Sequence, residues 1–450
     1  MRRKYKYLSK NGNPKTLLLN SYSATFSLMH MRVPTSLPAA PAQPAWYKWE
    51  LLVLLWLAFF LHQGDRQIYN SVIPLIKTDL GLDDVQLGLI GSIFTLVYGV
   101  LVPVAGFIGD ILPRKWIVVM SLLIFSIGTT LSGLSSGLIM LVLFRSVTTG
   151  GGEAFFYPSA TSLLAQFHDK TRALALAILQ TALYVGITAS GLIAGYIGER
   201  YGWRTAFFAF GGVGVLWAGV AAWRLRNTPQ VRAAAPQTQP RIPLNEVLWY
   251  VLRRPSVWLL SLAFGAMVYV NIGYLTWAPT FLHENFKLSL ANAGFSSMFY
   301  HHLFAFFGVL IGGKIADRLA EKRPSIRMEA NFLGLLCGAP FIYWLGQAPS
   351  VEISYIALAG FGLFRGIYDS NLFASLFDVV EPRLRASATG LMLSFAFVIG
   401  SLAPTVLGWM KMRVGLATGL SSLAWFYLFG ALSILIAVKF FLKRDYVRKK

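Results

Sequence analysis

Six charged side chains interrupt stretches that are otherwise apolar: Asp65, Arg66, Arg145, Glu153, Arg365 and Asp369. A guanidinium is a preorganised fork of donors that grips a carboxylate or phosphate bidentately. Beside it, an acid that takes up and releases a proton lets anion and proton charges compensate. Arg145, Thr149 and Glu153 stand at i, i+4 and i+8, one broad face of a helix, about two turns from end to end. The plainer reading of Arg145 and Glu153 is a permanent salt bridge to each other. Arg365, Tyr368 and Asp369 stand at i, i+3 and i+4, one surface patch, where Arg365 and Asp369 also read as an intrahelical ion pair. Asp65 and Arg66 are neighbours whose side chains point about 100° apart. Asp65 shares its side with Tyr69, and Arg66 shares its side with Asn70. Weaker candidates are Asn271, Tyr274 and Trp277, then Tyr300, His301 and His302, and also His62, Gln63, Tyr98, Gln180 and Tyr184. A histidine in such a place either relays protons or is held by hydrogen bonds.

The elements that carry these residues are membrane spans. The 450 residues are 56% hydrophobic and 13% charged, with a mean hydropathy of +0.57. A soluble chain carries roughly 25% charged residues. Apolar runs fall at 49–76, 85–108, 116–134, 136–160, 172–197 and 204–224, then at 256–283, 291–312, 327–347, 351–378, 384–410 and 418–441. Each reaches roughly the 20 residues a helix needs to cross the hydrocarbon. The runs are continuous rather than alternating, which favours helices over a barrel. The expected fold is therefore all-α, with twelve transmembrane helices in two six-helix bundles. The bundles are expected at 48–224 and 256–441. A basic N-terminal arm (1–47), a cytoplasmic linker rich in proline (225–255) and a basic tail (442–450) complete the chain. Met29 and Met31 lie near the first span and allow a later start. A charge at the bilayer centre costs on the order of 3 kcal/mol, so six of them are expected to face an internal cavity.

The remaining charge sets the orientation. Of 40 Lys and Arg residues, thirty-one fall in the arm, the linker, the tail and the loops on their side, and six fall on the other side. The three left over are Arg66, Arg145 and Arg365. By the positive-inside rule both termini are cytoplasmic. The net charge of +21 punctuates apolar spans instead of covering a face, which argues against a nucleic-acid partner. One cysteine, Cys337, excludes a disulfide framework and a cysteine metal site. No phosphate-binding glycine loop, HExxH or nucleophile elbow occurs, so neither an enzyme nor a cofactor is expected.

Two short segments close the second span of each half in the same way. Gly106, Asp110, Arg114 and Lys115 form one, and Gly313, Asp317, Arg318 and Lys322 form the other. In both, the chain resembles the major facilitator superfamily, whose loop motif is Gly-x-x-x-Asp-Arg-x-Gly-Arg-Arg. The first copy departs from it at Ile111 and Pro113. Asp65-Arg66, Arg145 and Gly150-Gly151-Gly152-Glu153 are similar to the anion:cation symporters of that superfamily, which carry hexuronate, galactonate and sialate. The stretch Gly202-Trp203-Arg204 is similar as well. His62-Gln63 stands where that group has Asn-Tyr. The Arg-to-Glu spacing is one residue longer, which turns Glu153 by about 100° unless a π-bulge absorbs it. Tyr368-Asp369-Ser370-Asn371 resembles Spinster-like lysolipid carriers.

The resemblance implies a proton-coupled symporter of a small organic anion, a sugar acid, in the inner (plasma) membrane, working as a monomer without a metal. Arg66, Arg145, Tyr69, Asn271, Tyr274, His301, Arg365 and Tyr368 would hold the substrate. Asp65, Glu153 and Asp369 would carry protons. Gly106, Asp110, Arg114, Lys115, Gly313, Asp317 and Arg318 would gate, with Asp110 and Asp317 each pairing with a nearby Arg or a helix N-terminus across the interface between bundles. A lysolipid carrier, an organic-phosphate antiporter and a non-transporting sensor are the alternatives.

Overall fold

The computed structural model describes residues 44, 46–168, 170–226, 244–320, 322–323 and 325–447, apart from the side chains of 110, 244, 245, 247 and 248. The arm before residue 44, the centre of the expected linker and the last three residues of the tail lie outside the described residues. Every regular element among the described residues is helical. In the first half, α1 is Tyr47–Leu80, α2 Asp84–Ile111, α3 Arg114–Ser132, α4 Leu138–Phe167, α5 Arg172–Tyr201 and α6 Trp203–Arg224. In the second half, α7 is Pro255–Phe286, α8 Leu290–Ala320, α9 Ile326–Gly346, α10 Val351–Val379, α11 Pro382–Val414 and α12 Leu416–Asp445. A nine-residue helix, Leu244–Leu252, precedes α7. Ten of these long helices are apolar enough to cross a membrane. The other two, α1 and α8, carry polar groups such as Gln63, Asp65, Arg66 and Gln67, or Asn292, His301 and His302.

The halves repeat one another in backbone detail. Helix α1 ends at Gly81 (φ 63°, ψ 26°), and its counterpart α7 ends at Lys287 (φ 57°, ψ 26°). That left-handed cap suits glycine and strains a lysine. The α5–α6 turn pivots on Gly202 (φ 86°, ψ 153°), and the α11–α12 turn on Gly415 (φ 88°, ψ 152°). Each half is also clasped where its chain enters and leaves. Arg224 pairs with Glu50, joining α6 to α1. Asp445 accepts a bond from Ser256 N at 3.0 Å, joining α12 to α7.

The halves meet toward the distal end, the one holding Leu80, Asp84, Tyr201, Phe286 and Val414. A methyl group on Gly191 would come within 2.6 Å of Gly294 O, and one on Gly408 within 2.1 Å of Asp84 O. Backbones thus touch at α5–α8 and at α2–α11. Lys411 bonds Asp84 (3.1 Å) and Glu284 (2.7 Å), Lys77 bonds Asp84 (2.6 Å), and Thr405 donates to Ser92 (2.7 Å). One apolar core fills the second half and continues through Ile68, Val72, Ile76 and Leu87 into the distal part of the first. At the opposite, proximal end the first half has its own core, built on Leu51, Leu55, Phe59, Leu122 and Phe125. The shared core is distal only, which leaves the proximal end as the side where the halves can part.

Candidate anion site

Helix α4 is not uniform. Residues Val142–Thr149 are π-helical, and the Thr148 and Thr149 hydroxyls bond carbonyls five residues back at 3.0 Å. Eight α-helical residues turn by roughly 800°, which leaves Glu153 about 80° off Arg145; a π-bulge takes up one residue, about 100°, and returns the two to nearly one face. The extra residue in the Arg-to-Glu spacing is absorbed in this way.

Glu153 is fully buried. Its Oε2 receives Arg66 Nε at 2.6 Å, and its Oε1 has no hydrogen-bond partner. The ion pair is therefore with Arg66 of α1, and the plainer reading of a permanent Arg145–Glu153 bridge does not hold here: Arg145 turns its Nη2 to the Arg66 carbonyl instead. Arg145, 3% exposed, donates Nη2 to Arg66 O at 3.3 Å. Its Nε and Nη1, Arg66 Nη2 and Asp65 Oδ2 are buried without partners. His62 lies behind Glu153, with Nε2 3.1 Å from the Glu153 carbonyl. A carbonyl only accepts, so Nε2 carries the proton, and Nδ1 accepts from Gln63 at 3.2 Å. The His62-Gln63 departure thus buttresses the acid.

Arg66 and Arg145 open into a small cavity of about 60 Å³. Tyr69, Asn70, Phe94 and Tyr98 line it from the first half, and Ile272, Leu275, Thr276 and Phe397 from the second. Tyr69 is tethered by its hydroxyl to Leu87 O at 2.7 Å. Arg66 lies over the Tyr98 ring at 4.2 Å.

The second half holds a separate cluster. Arg365 bonds Asn271, pairs with Asp369 at 3.3 Å and donates to His301 Nε2 at 3.1 Å. Guanidinium has no acceptor, so Nε2 of His301 is bare and the proton sits on Nδ1. Two residues leave the expected substrate surface. Tyr274 donates its hydroxyl to Ser297 O, within the second half. Tyr368 is fully buried, with its Cβ against the backbone of α9 at Gly334, because its i+3 position turns it off the Arg365–Asp369 face.

A model of the Major Facilitator Superfamily matches residues 55–404. The chain belongs to that superfamily. Among relatives, it is 24% identical to a hexuronate transporter of Bacillus subtilis (strain 168) over 392 residues, covering 84% of this chain and 91% of that one. It is 27% identical to an MFS-type efflux pump of Mycolicibacterium smegmatis over 367 residues, covering 81% and 84%. Among solved structures, a bacterial homolog of the human lysosomal transporter Spinster, inward-facing and unoccupied, matches with a TM-score of 0.78 at 22% identity, covering 91% of this chain and all of that one. This last likeness concerns the fold.

The superfamily loop motif behaves differently from expectation in its second copy. Asp317 bonds Arg327 at 3.1 Å, and Arg327 also reaches Asp378 at 3.3 Å. All three belong to the second half, so the pair does not cross the interface: Arg327, at the start of α9, reaches Asp317 from within the same half. Arg318 is exposed. Gly313 has only Ser370 near the position of a Cβ, and Gly106 has no neighbour there at all. Arg114 and Lys115 open α3, and the Asp110 side chain lies outside the described residues. Sequence reasoning passed over Phe94. The available signal was Phe94 and Tyr98 at i and i+4, an aromatic stripe on a helix between two arginine-bearing spans.

Proposed function

We propose that this protein is a secondary active transporter that couples protons to the symport of a small organic anion, a sugar acid of the hexuronate or aldonate type. One observation carries the reading. Buried N–H groups of Arg66 and Arg145 open into a cavity between the halves, beside two buried acids, Asp65 and Glu153. Unpaired buried donors cost on the order of 1–3 kcal/mol each, more on a charged group, a cost that an arriving carboxylate offsets. The hexuronate relative supports the substrate class.

In this reading Arg66 and Arg145 bind the carboxylate, and Glu153 and Asp65 exchange protons. Arg365, Asn271, His301 and Asp369 act from the second half. The basic loops put the proximal end and both termini in the cytoplasm of the inner membrane. The sealed distal end then makes the conformation inward-facing, and a single chain suffices for transport. The two halves rock about the arginines, with the Gly106–Lys115 and Gly313–Arg318 segments engaging when the proximal ends close. The test is uptake of radiolabelled D-glucuronate into proteoliposomes with an inward proton gradient. Accumulation that collapses with a protonophore is expected. Uptake indifferent to both gradient and protonophore contradicts proton coupling.

A second reading has its own support. An apolar crevice of about 450 Å³ lies between α5 and α8, lined by Tyr184, Val185, Leu192, Phe299, Leu303 and Phe306. Such a lateral opening suits a lysolipid. Competition of D-glucuronate uptake by lysophosphatidylcholine, with the lipid itself transported, would favour this reading over the first.

A further inference from the structure

Two guanidinium groups face one cavity, yet only Arg66 forms an ion pair with a carboxylate; Glu153 and Asp65 act on Arg145 only through space. Glu153 pairs with Arg66, whereas no acid forms an ion pair with Arg145 among the described residues. Its one protein hydrogen bond among the described residues is the 3.3 Å contact to Arg66 O. Two rings flank its charge, Tyr69 with its centroid 5.7 Å from Cζ and, more closely, Phe94. Arg145 Cζ is 4.3 Å from the centroid of Phe94, and Arg66 Cζ is 5.5 Å from the same centroid. Phe94 is itself 8% exposed and is seated on α4, where a methyl group on Gly150 would meet it at 3.1 Å.

An aromatic face attracts a cation through its quadrupole, most strongly where water is excluded. It does so without taking the in-plane N–H groups that a carboxylate would take. A second acid beside Arg145 would neutralise the charge and fill the fork. A ring holds the charge and leaves the fork open, in keeping with the unpartnered Nε and Nη1 of Arg145.

We propose that Phe94 is a positioning residue for the anion site: its π face holds Arg145, and less closely Arg66, so that their in-plane donors stay available to a carboxylate. This rests on the anion reading above. The geometric half of the claim, the ring holding the cation, can be tested without any substrate.

The experiment places 4-fluoro-, 3,5-difluoro- and 3,4,5-trifluorophenylalanine at position 94 of the full-length protein. Fluorine drains the ring face of negative charge while barely changing its shape, so folding is preserved and a purely steric role is not disturbed. Two quantities are read: the melting temperature of the purified protein, and its affinity for D-glucuronate. Tm should fall stepwise with each fluorine in the wild-type background and fall much less in an Arg145→Met background, where only the more distant Arg66 still faces the ring. The affinity should fall in the same order, by about tenfold across the series. A Tm and an affinity both indifferent to fluorine overturn the inference and make Phe94 a packing residue, even if D-glucuronate binds normally. A stepwise Tm that depends on Arg145, with no D-glucuronate binding in any variant, supports the cation–ring contact and counts against the sugar-acid reading instead.

Discussion

The two halves share a backbone plan but treat their buried arginines in opposite ways. In the second half, Arg365 is occupied: Asn271, Asp369 and His301 all meet it. In the first half, Arg66 pairs with Glu153, while Arg145 forms no ion pair among the described residues. Both keep buried donors without hydrogen-bond partners, as Arg365 does at Nε, but only Arg66 and Arg145 open into the cavity. The second half gives that cavity Ile272, Leu275, Thr276 and Phe397 and no charge. Duplication supplied two similar frames. On the proposed reading the chemistry of recognition is concentrated in one, while the other supplies an apolar wall and a charge met mostly by its own neighbours.

Substitutions should respect this asymmetry. Arg66→Lys and Arg145→Lys keep the charge and lose the planar fork. Charge-assisted hydrogen bonds contribute about 1.5–3 kcal/mol each, so D-glucuronate affinity should fall roughly 10- to 150-fold in a protein that still inserts. Near-normal affinity by isothermal calorimetry would show the two arginines to be structural. Arg365→Gln should weaken the same affinity less than about tenfold and lower the yield of folded protein instead, because it strands Asp369 and Asn271. An affinity loss equal to that of Arg145→Lys would erase the distinction between the halves.

Smaller effects are expected away from the arginines. Asp84 joins the halves at the distal end through Lys411, while Lys77 holds it from its own half. Asp84→Asn should change turnover several-fold, read as exchange rate in proteoliposomes, with affinity preserved. An unchanged rate would mean that the glycine contacts seal that end alone. Asp317 is largely exposed, and exposed pairs contribute about 0–1 kcal/mol. Asp317→Asn should therefore shift Tm by no more than a few degrees, and a drop above ten degrees would make the Arg327 bridge a principal clamp of the second half.

Much of this was legible in the residues, for reasons that differ by element. The helices were readable because a bilayer-length apolar run has few alternatives. The charges were readable because each is costly there, so Asp65, Arg66, Arg145 and Glu153 stood out by mere position. Partner choice was not readable. A π turn, encoded by no single residue type, resets the angle between Arg145 and Glu153 along α4, and which arginine Glu153 then meets is decided by how α1 lies against α4. Tyr368 was misplaced because i+3 and i+4 positions separate once α9 packs at Gly334. Phe94 was invisible because an aromatic residue in an apolar helix carries no mark of its use; only the two guanidinium groups against its ring reveal it.

The central claim is that an anion and a proton share one site in the first half, with Glu153 as the group that loads and releases the proton. Glu153→Gln in proteoliposomes tests it most directly. Glutamine imitates a carboxyl that never releases its proton. Reorientation of the loaded carrier does not need that release, whereas return of the empty carrier does. The account predicts that exchange of labelled for unlabelled D-glucuronate persists while accumulation driven by a proton gradient is lost. If exchange and folding yield fail together, Glu153 is a fixed counter-ion of Arg66, whose removal leaves a buried cation unpaired at a cost of roughly 3–5 kcal/mol, and the claim is contradicted.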